Sequence, residues 1–378
     1  MEQPRPARPE EFAEALTFIN RVFMPGKKNR FFFRSNYPHA YRPEYAGRIL
    51  LQRDQGQIAG CLAIHPLTLR LEEVRLVAGG LGAVGTDPAR RGEGIMSRLL
   101  EEAIGRMRRA GYPLSILWGD RQRYGRFGWE RGGLRNSLSL SARQLGAPSA
   151  AERRLRMEPF SPDPALCRRL RALDLDHPYG VERPLADIPD LLARVGRQTW
   201  ICREGRRFAY LVLQREGRQR RGQYELLDEA GGDADLARSM LRVLLSRSNL
   251  AWLQASAGPN PLQLDLLLPG SAYWTRECSC MIKILDLQGL LDSLRPLLWR
   301  RAKAAGVRGR FHLYAPGHEA RLELGAGKRQ QVELGEGELV GLLFGLHPLA
   351  ERWPGVKSLG PLGRLLPLAL HVPTLNYI

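Results

Sequence analysis

One glycine-rich loop between a strand and a helix constrains this sequence more than any other segment. Residues 74–86 are apolar and rich in glycine, which is typical of a strand, and Pro88 ends them. Apolar residues then recur at helical spacing over residues 96–107. Gly92 and Gly94 lie between the two elements, where a missing Cβ lets a ligand approach the backbone. The segment therefore predicts an anion-binding turn at the start of a helix.

The surroundings of these glycines favour a diphosphate as the ligand. Amide groups at a helix N-terminus lack partners, and the helix dipole is positive there. Arg90 and Arg91 add positive charge next to the turn. An ordinary tight strand–helix turn is the structural alternative, and isolated glycines alone would favour it. The arginine pair and the apolar strand before it favour a diphosphate site.

Composition limits the class of protein and its location. The 378 residues include 57 basic and 39 acidic side chains, so the formal net charge is +18. Such a charge attracts anions, but most of the basic residues are arginines that a genome-wide codon preference would also explain. No recognition motif supports a specific nucleic-acid partner. The five scattered cysteines are an odd number, which favours a reducing cytoplasm over a disulfide framework.

Membrane, secretion and metal functions find no support in the sequence. No apolar run approaches the roughly 18 residues of a membrane span, and the N-terminus lacks the apolar core of a signal peptide. Cys278 and Cys280 have too few neighbouring ligand residues for a zinc site, so we expect no metal. Residues 80–85 fit the G-x-G-x-x-G pattern of dinucleotide sites. No helix follows them directly, so that interpretation is rejected.

Three blocks follow one another along the chain. Residues 1–147 alternate strands and helices, and residues 148–284 repeat that order more weakly. The second block lacks the glycine-rich loop, which suggests a decayed duplicate of the first. Residues 285–378 begin with a helix, continue with three short strands and a helix, and end in a proline-rich tail.

The loop resembles the acyl-CoA loop of the GNAT superfamily of N-acyltransferases, whose pattern is Arg/Gln-x-x-Gly-x-Gly/Ala. Arg91 and Gly94 match two of the three fixed positions, and Met96 departs from the third. Bulky apolar residues at that position are found in one branch, the enhanced intracellular survival protein family. The sequence Tyr-Gly-Arg-Phe-Gly-Trp at 124–129 is similar to a second motif of that branch.

The resemblance implies a fold and a domain order. The fold is α/β (α+β), with a GNAT-type mixed twisted sheet flanked by helices. In that family an active GNAT domain is followed by a degenerate GNAT domain and a smaller sterol-carrier-like α/β domain. Here these would be residues 1–147, 148–284 and 285–378.

The same resemblance implies the residues that bind acetyl-CoA, which would be the cosubstrate. A bulged strand before the loop bonds the pantetheine arm, the loop holds the pyrophosphate, and residues after the next strand flank the thioester. In this sequence the binding residues would be Val84, Gly85, Thr86, Arg91, Gly92, Glu93, Gly94, Ile95, Met96, Ser97, Gly119 and Asp120.

Two catalytic groups are carried over from the family. Tyr124 would be the general acid that protonates the departing thiolate, although packing beside Phe127 and Trp129 is an equal alternative from the residues alone. The C-terminal carboxylate of Ile378 would be the base, if the apolar tail folds back into the first domain. A frayed terminus is the alternative.

The expected activity is therefore acetyl transfer from acetyl-CoA to a primary amine. The family suggests aminoglycoside-like small molecules or protein lysine side chains as acceptors. A protein that binds acyl-CoA or lipid as a sensor, without turnover, is the competing function. The sequence leaves the oligomeric state open, a homo-oligomer included.

Overall fold

The computed structural model describes residues 1–24, 32–215, 224–352 and 359–378. Strands and helices are numbered in chain order. The helices are α1 (Phe12–Phe23), α2 (Phe32–Asn36), α3 (Ile95–Arg109), α4 (Arg121–Tyr124), α5 (Ala142–Leu145), α6 (Ala150–Arg153), α7 (Pro164–Leu175), α8 (Ile188–Leu192), α9 (Ala234–Arg247), α10 (Pro261–Leu267), α11 (Leu287–Ala305), α12 (Glu336–Phe344) and α13 (Leu349–Arg352). None of them is both long enough and apolar enough to cross a bilayer.

A first sheet of eight strands carries the predicted loop. Its order is β1 (Arg5–Pro6), β2 (Ile49–Asp54), β3 (Gln57–Leu71), β4 (Val74–Thr86), β5 (Leu114–Leu117), β15 (Cys280–Ile284) and β6 (Glu130–Gly132), with β9 (Tyr179–Val181) beside β3. Only β4 and β5 pair in parallel, and α3 connects them. We call this sheet with α1–α4 the first unit.

A second sheet repeats that arrangement. Its order is β14 (Ser271–Glu277), β7 (Arg135–Ser141), β13 (Trp252–Ala257), β12 (Tyr224–Gly232), β11 (Arg207–Arg215), β10 (Arg197–Glu204) and β8 (Met157–Pro159). Its one parallel pair is β12 with β13, and α9 connects them as α3 connects β4 and β5. This sheet with α5–α10 is the second unit. The repeated β–α–β arrangement is the mixed, twisted α/β fold that the sequence predicted.

The third unit starts at α11 and packs directly on the first sheet. Its own sheet has the order β17 (His318–Leu324), β16 (Gly309–Ala315) and β18 (Arg329–Glu333). Apolar side chains from both units form one continuous core, for example Leu76 and Ile116 of the first sheet with Leu294 and Leu343 of the third unit. The division of the chain into residues 1–147, 148–284 and 285–378 stays a prediction.

The two large sheets exchange strands across both of those boundaries. Strand β7 precedes residue 147 but lies in the second sheet between β13 and β14. Strand β15 comes at the end of the second block but lies in the first sheet, where Ile282 pairs with Ile116 of β5 and with Glu130 of β6. Strand β9, which lies between β8 and β10 in the chain, also pairs with β3 of the first sheet. The chain therefore crosses between the two sheets four times, and each sheet contains a strand from the other block.

We expect Ile282→Ala to destabilise the whole molecule, because this fully buried side chain lies in the exchanged strand at the centre of the largest core. Truncation of a buried isoleucine should lower the free energy of unfolding by about 2–5 kcal/mol. Urea unfolding followed by circular dichroism measures the change. Val77→Ala, at a side chain that is 44% exposed, is the control. A loss below about 1 kcal/mol at Ile282 would contradict this placement of β15.

Candidate functional site

The site begins where the two parallel strands of the first sheet separate. Strands β4 and β5 pair from Ala78 with Leu114 to Leu81 with Leu117, and the pairing ends there. Strand β4 continues to Thr86, while the chain after β5 turns away into α4. A bulge lies at the separation, where the register against β3 shifts and Ala83 has φ +48°. Residues 82–86 of β4 thus have an edge free of β5.

The loop after β4 connects this free edge to the start of α3. Asp87 accepts a bond from the Ala89 amide, and a 3-10 helix runs over Pro88–Arg90. Gly94 is the N-cap of α3 with φ +74°, and no side chain caps the helix. The amides of the first helical turn, residues 95–97, have no acceptor within the helix. They are free to bind an anion.

A cavity of about 650 Å³ brings most of the predicted ligand-binding residues together. From that set it is lined by Val84, Gly85, Thr86, Arg91, Gly92, Gly94, Ile95, Met96 and Ser97. Glu93 does not line it. Its carboxylate pairs with Arg90 at 2.7 Å, and this hydrogen bond lowers the pKa of Glu93 below its ordinary value.

Positive charge without a partner faces this cavity. Arg90 also pairs with Asp54 at 2.8 Å, so two carboxylates balance it. Arg91, Arg123 and Arg126 line the cavity, and within the described ranges none of them pairs with a carboxylate. Among the described residues that line the cavity, none has an acidic side chain. The cavity is therefore suited to a polyanion.

Sequence reasoning missed several of these lining residues. Val22 and Phe23 close one side of the cavity, and Arg123 and Arg126 close another. Arg126 belongs to the motif at 124–129, so the arginine of that motif could have indicated it. In the sequence analysis only the tyrosine of the motif has a role. Nothing local connects residues 22–23 to the loop, because only the folded sheet brings α1 next to β4.

Tyr124 lies at the end of α4 and is buried. Its ring meets Trp129 edge-on at 6.5 Å between centroids. A Cβ on Gly119 would lie 2.3 Å from Cε2 of Tyr124, so only glycine lets the ring occupy this place. Burial raises the pKa of Tyr124 above its ordinary value, and the nearby Arg123 partly offsets the effect. The phenol is protonated at neutral pH.

Asp120 has a local structural role in addition to the predicted one. Its carboxylate caps α4 by accepting bonds from the amides of Gln122 at 2.8 Å and Arg123 at 3.3 Å. It therefore fixes the short helix that carries Tyr124. The contact of Asp120 with a thioester stays a prediction.

The end of the chain lies against β4. A Cβ on Gly82 would lie 3.0 Å from the carboxyl carbon of Ile378 and 3.0 Å from the Tyr41 hydroxyl oxygen. A Cβ on Gly80 would lie 2.5 Å from Cδ1 of the same isoleucine. The glycine pattern at 80–85, which fails as a dinucleotide motif, thus makes room for the C-terminus. The structure brings the C-terminal carboxyl group beside the separation of β4 and β5.

A second cavity of about 580 Å³ opens on the other side of Gly119. Trp118 and Tyr377 stack at 4.2 Å between ring centroids and form part of its wall. Glu277 also lines this cavity, where hydrogen bonds from Ser137 and Arg135 lower the pKa of its carboxyl. Residues that follow β5 line both cavities, Trp118 and Gly119 the second and Arg123 and Arg126 the first.

Buried histidines lie near the chain end. The ring of His65 lies 5.1 Å from that of Tyr41, and burial lowers the pKa of His65 to about 3. Burial does the same for His39. Both imidazoles are neutral at physiological pH, so they do not repel a cationic ligand. Within the described residues, no group of three or more His, Cys, Asp or Glu side chains could hold a metal ion.

Comparison with known proteins agrees with this geometry. Residues 3–132 match the family model for the acetyltransferase (GNAT) domain. The uncharacterized N-acetyltransferase YhbS of Escherichia coli K12 is 31% identical over 77 residues. That segment is 20% of this chain and 45% of YhbS, so the chain spans about half the length of this relative.

Solved structures resemble the fold over the whole chain. A GCN5-related N-acetyltransferase of Anabaena variabilis has a TM-score of 0.70 at 16% identity, with 98% of both chains covered. A probable N-acyltransferase of Enterococcus faecalis has 0.71 at 15%, covering 99% of this chain and 98% of its own. Eis1 of Mycobacterium abscessus has 0.66 at 14%, with 100% of both chains covered.

The fold and the loop define the class of the first unit, which is a GNAT acetyltransferase domain. The three solved structures share the fold of this chain over 98–100% of its length.

We expect Gly82→Ala to loosen the end of the chain, because the new Cβ would lie closer to the Ile378 carboxyl carbon than ordinary packing allows. Carboxypeptidase digestion followed by mass spectrometry should remove Ile378 about tenfold faster, which corresponds to about 1.4 kcal/mol of local destabilisation. Gly47→Ala, where a Cβ meets nothing within 4 Å, is the control. Equal digestion of the wild type and Gly82→Ala would argue against the docked terminus.

Proposed function

We propose that this protein is an acetyl-CoA-dependent N-acetyltransferase that transfers the acetyl group to a primary amine. The observation that carries the proposal is the cavity beside the separated strands. It joins uncapped amides at the start of α3, the free edge of β4 and three arginines that pair with no carboxylate in the described part of the chain. A nucleotide thioester with a diphosphate and an amide-containing arm matches all three.

The cavity fits the donor in shape and charge. Gly92 has φ +89° and an added Cβ would meet no atom within 4 Å, so the space above its backbone is open. The pyrophosphate would bind the amides of residues 92–97. The pantetheine arm would hydrogen-bond the backbone of Val84 and Thr86 as an added strand does. Arg91, Arg123 and Arg126 supply the opposite charge.

The acetyl group transfers by direct attack. The amine nitrogen attacks the thioester carbonyl carbon and forms a tetrahedral intermediate. The C–S bond then breaks, an amide remains on the acceptor, and the sulfur leaves as a thiolate. Tyr124, kept protonated by burial, donates its proton to that sulfur.

The acceptor must first lose a proton, because an ammonium group is not a nucleophile. The carboxylate of Ile378 would receive it, directly or through one water, because the chain end lies against Gly82 where β4 leaves β5. Gly80 and Gly82 leave space for it there. A Cβ on Gly82 would also meet the hydroxyl of Tyr41, which makes no hydrogen bond within the described part of the chain and would turn to orient the carboxylate.

The second cavity is the place that we propose for the acceptor. Its volume is that of a small-molecule site. The Trp118–Tyr377 stack offers a flat apolar wall. Glu277 also lines the cavity, but it is paired with Arg135 at 2.7 Å and Arg131 lines the same cavity, so a cationic amine would have to compete with Arg135 for this carboxylate. We propose an aminoglycoside-like small molecule or a protein lysine side chain as the acceptor.

The remaining features of the chain are assigned on the same basis. We propose a catalytic unit at residues 1–147, a degenerate GNAT-like unit at 148–284, and a sterol-carrier-like unit at 285–378 that delivers the C-terminus. All five cysteines are free thiols, which supports a cytoplasmic location.

Tyr124→Phe tests the general acid. We expect kcat with a panel of primary amines, measured as thiol release from acetyl-CoA, to fall by about 10²–10⁴-fold with little change in the Kd for CoA. Because burial raises the pKa of Tyr124, the wild-type rate should show no alkaline decline from this group below about pH 10. The control is Tyr112→Phe, at a partly buried tyrosine that follows α3 in the chain. CoA binding with no transfer by either protein would identify a sensor instead.

Gly92→Ala tests the diphosphate site. A left-handed alanine is strained by about 1–2 kcal/mol, and its methyl group would point into the space assigned to the pyrophosphate. Calorimetry should show a Kd for CoA raised about tenfold or more. Gly56→Ala in the β2–β3 turn has φ +78° and equally open surroundings, so it carries the same strain far from the cavity. If both variants bind CoA as the wild type does, the phosphate assignment is wrong.

A further inference from the structure

The last residues of the chain are held by the second unit before they reach the first. Leu375 is fully buried in a cluster that includes Leu170 of α7, Leu192 of α8 and Val212 of β11. The tail therefore passes through the core of the second unit at Leu375. Two residues later, Tyr377 stacks on Trp118. The contacts on either side of Leu375 are polar and buried.

Arg183, two residues after β9, binds Asn376 and is anchored to β12 of the second unit. Its Nε and Nη2 atoms donate to the Asn376 side-chain oxygen at 3.1 and 2.9 Å. The arginine is itself fixed by a bidentate pair with Glu229 at 3.0 and 2.7 Å. The Tyr210 hydroxyl donates to the same carboxylate at 2.7 Å. Arg183 is 2% exposed, so this arrangement is fully enclosed.

Two further groups hold the tail on the other side of Leu375. The Thr374 hydroxyl donates to Asp228 at 2.8 Å, and Arg197 pairs with the other carboxylate oxygen at 2.5 Å. Arg194 approaches the Leu375 carbonyl oxygen at 3.5 Å. Three consecutive tail residues are thus contacted by two arginines and one aspartate, Arg183, Arg194 and Asp228. Glu229 and Arg197 pair in turn with Arg183 and Asp228.

We call the contacts of Arg183, Arg194 and Asp228 with residues 374–376 the clamp. Its position near the end of the chain gives it a role beyond stability. Buried ion pairs add little stability compared with apolar packing, so such a cluster is weak as a stabilising device. Asn376 is two residues from Ile378, and two residues of extended chain span at most about 7 Å. The position of Asn376 therefore limits where the terminal carboxyl group can lie. Tyr377 is fixed between them by Trp118 and by a 3.2 Å bond from Arg135.

We propose that the second unit, whose described residues include no phosphate loop, positions the C-terminal carboxylate for the first unit. Arg183, through Asn376, and Asp228, through Thr374, are the positioning residues. The assignment rests on the proposed function, in which Ile378 deprotonates the acceptor. It gives the degenerate unit a task in catalysis without contact with either substrate.

Asn376→Leu tests this proposal, with Asn376→Asp as its matched control. Both replacements keep the size of the side chain, but only aspartate keeps an oxygen for Arg183. We expect Asn376→Leu to lower kcat by about 10- to 100-fold, while the KM for acetyl-CoA and the thermal unfolding midpoint stay close to the wild type. Asn376→Asp should restore most of kcat. Equal kcat in Asn376→Leu and the wild type would overturn the proposal, as would an equal loss in both variants.

A second measurement is independent of any activity. Hydrogen exchange of the C-terminal peptide should become at least about tenfold faster at residues 374–378 in Asn376→Leu than in Asn376→Asp. Unchanged exchange would overturn the clamp even if the protein transfers acetyl groups. If the wild type acetylates no amine, the proposed function is wrong. Hydrogen exchange at residues 374–378 then still tests the clamp. Thr374→Val, read by the same two measurements, replaces Asn376→Leu if the latter does not fold.

Discussion

The separation of β4 from β5 after Leu81 and Leu117 is the constraint on which the rest of the site depends. Two parallel strands that stay paired leave no edge for a ligand, whereas these two part over the last residues of β4. The bulge at Ala83 turns that strand, and Gly119 lets the Tyr124 ring lie next to the gap from the other side. The helix start, the buried phenol and the chain end all meet at this opening.

The two β–α–β arrangements differ at the helix start, where we propose that the first unit binds an anion. Gly94 is the N-cap of α3 and provides no side-chain cap, so the first amides of this helix are open. Asp233 is the N-cap of α9, and its carboxylate accepts the Leu236 amide at 2.8 Å and pairs with Arg207. A negative side chain thus already occupies the position where a phosphate would bind. The second unit has the same β–α–β arrangement but a helix start closed by this carboxylate.

Features that are local in the chain could be predicted from the sequence, and features that depend on distant partners could not. Strand periodicity, helical spacing and the glycines at 92 and 94 indicated β4, α3 and the loop. The resemblance to a known family added Tyr124 and Ile378, which spacing alone does not single out. The exchange of β7 and β15 between sheets was not predicted, because an apolar alternation does not encode which strand is its neighbour.

The glycines at 80 and 82 illustrate the same limit. Their pattern shows that something must approach β4 closely, but only the fold reveals that it is the chain's own terminus. Arg123 and the side chains of α1 reach the cavity for a similar reason. The capping role of Asp120 could have been predicted, since an aspartate immediately before a helical segment is a common N-cap.

The most direct measurement is a crystal structure of the complex with a non-reactive acetyl-CoA analogue. The account predicts the diphosphate within hydrogen-bond distance of the amides of residues 92–97, the pantetheine arm beside Val84 and Thr86, and the thioester position between Tyr124 and the Ile378 carboxylate. An analogue bound elsewhere on the molecule, with the start of α3 facing only solvent, would contradict it.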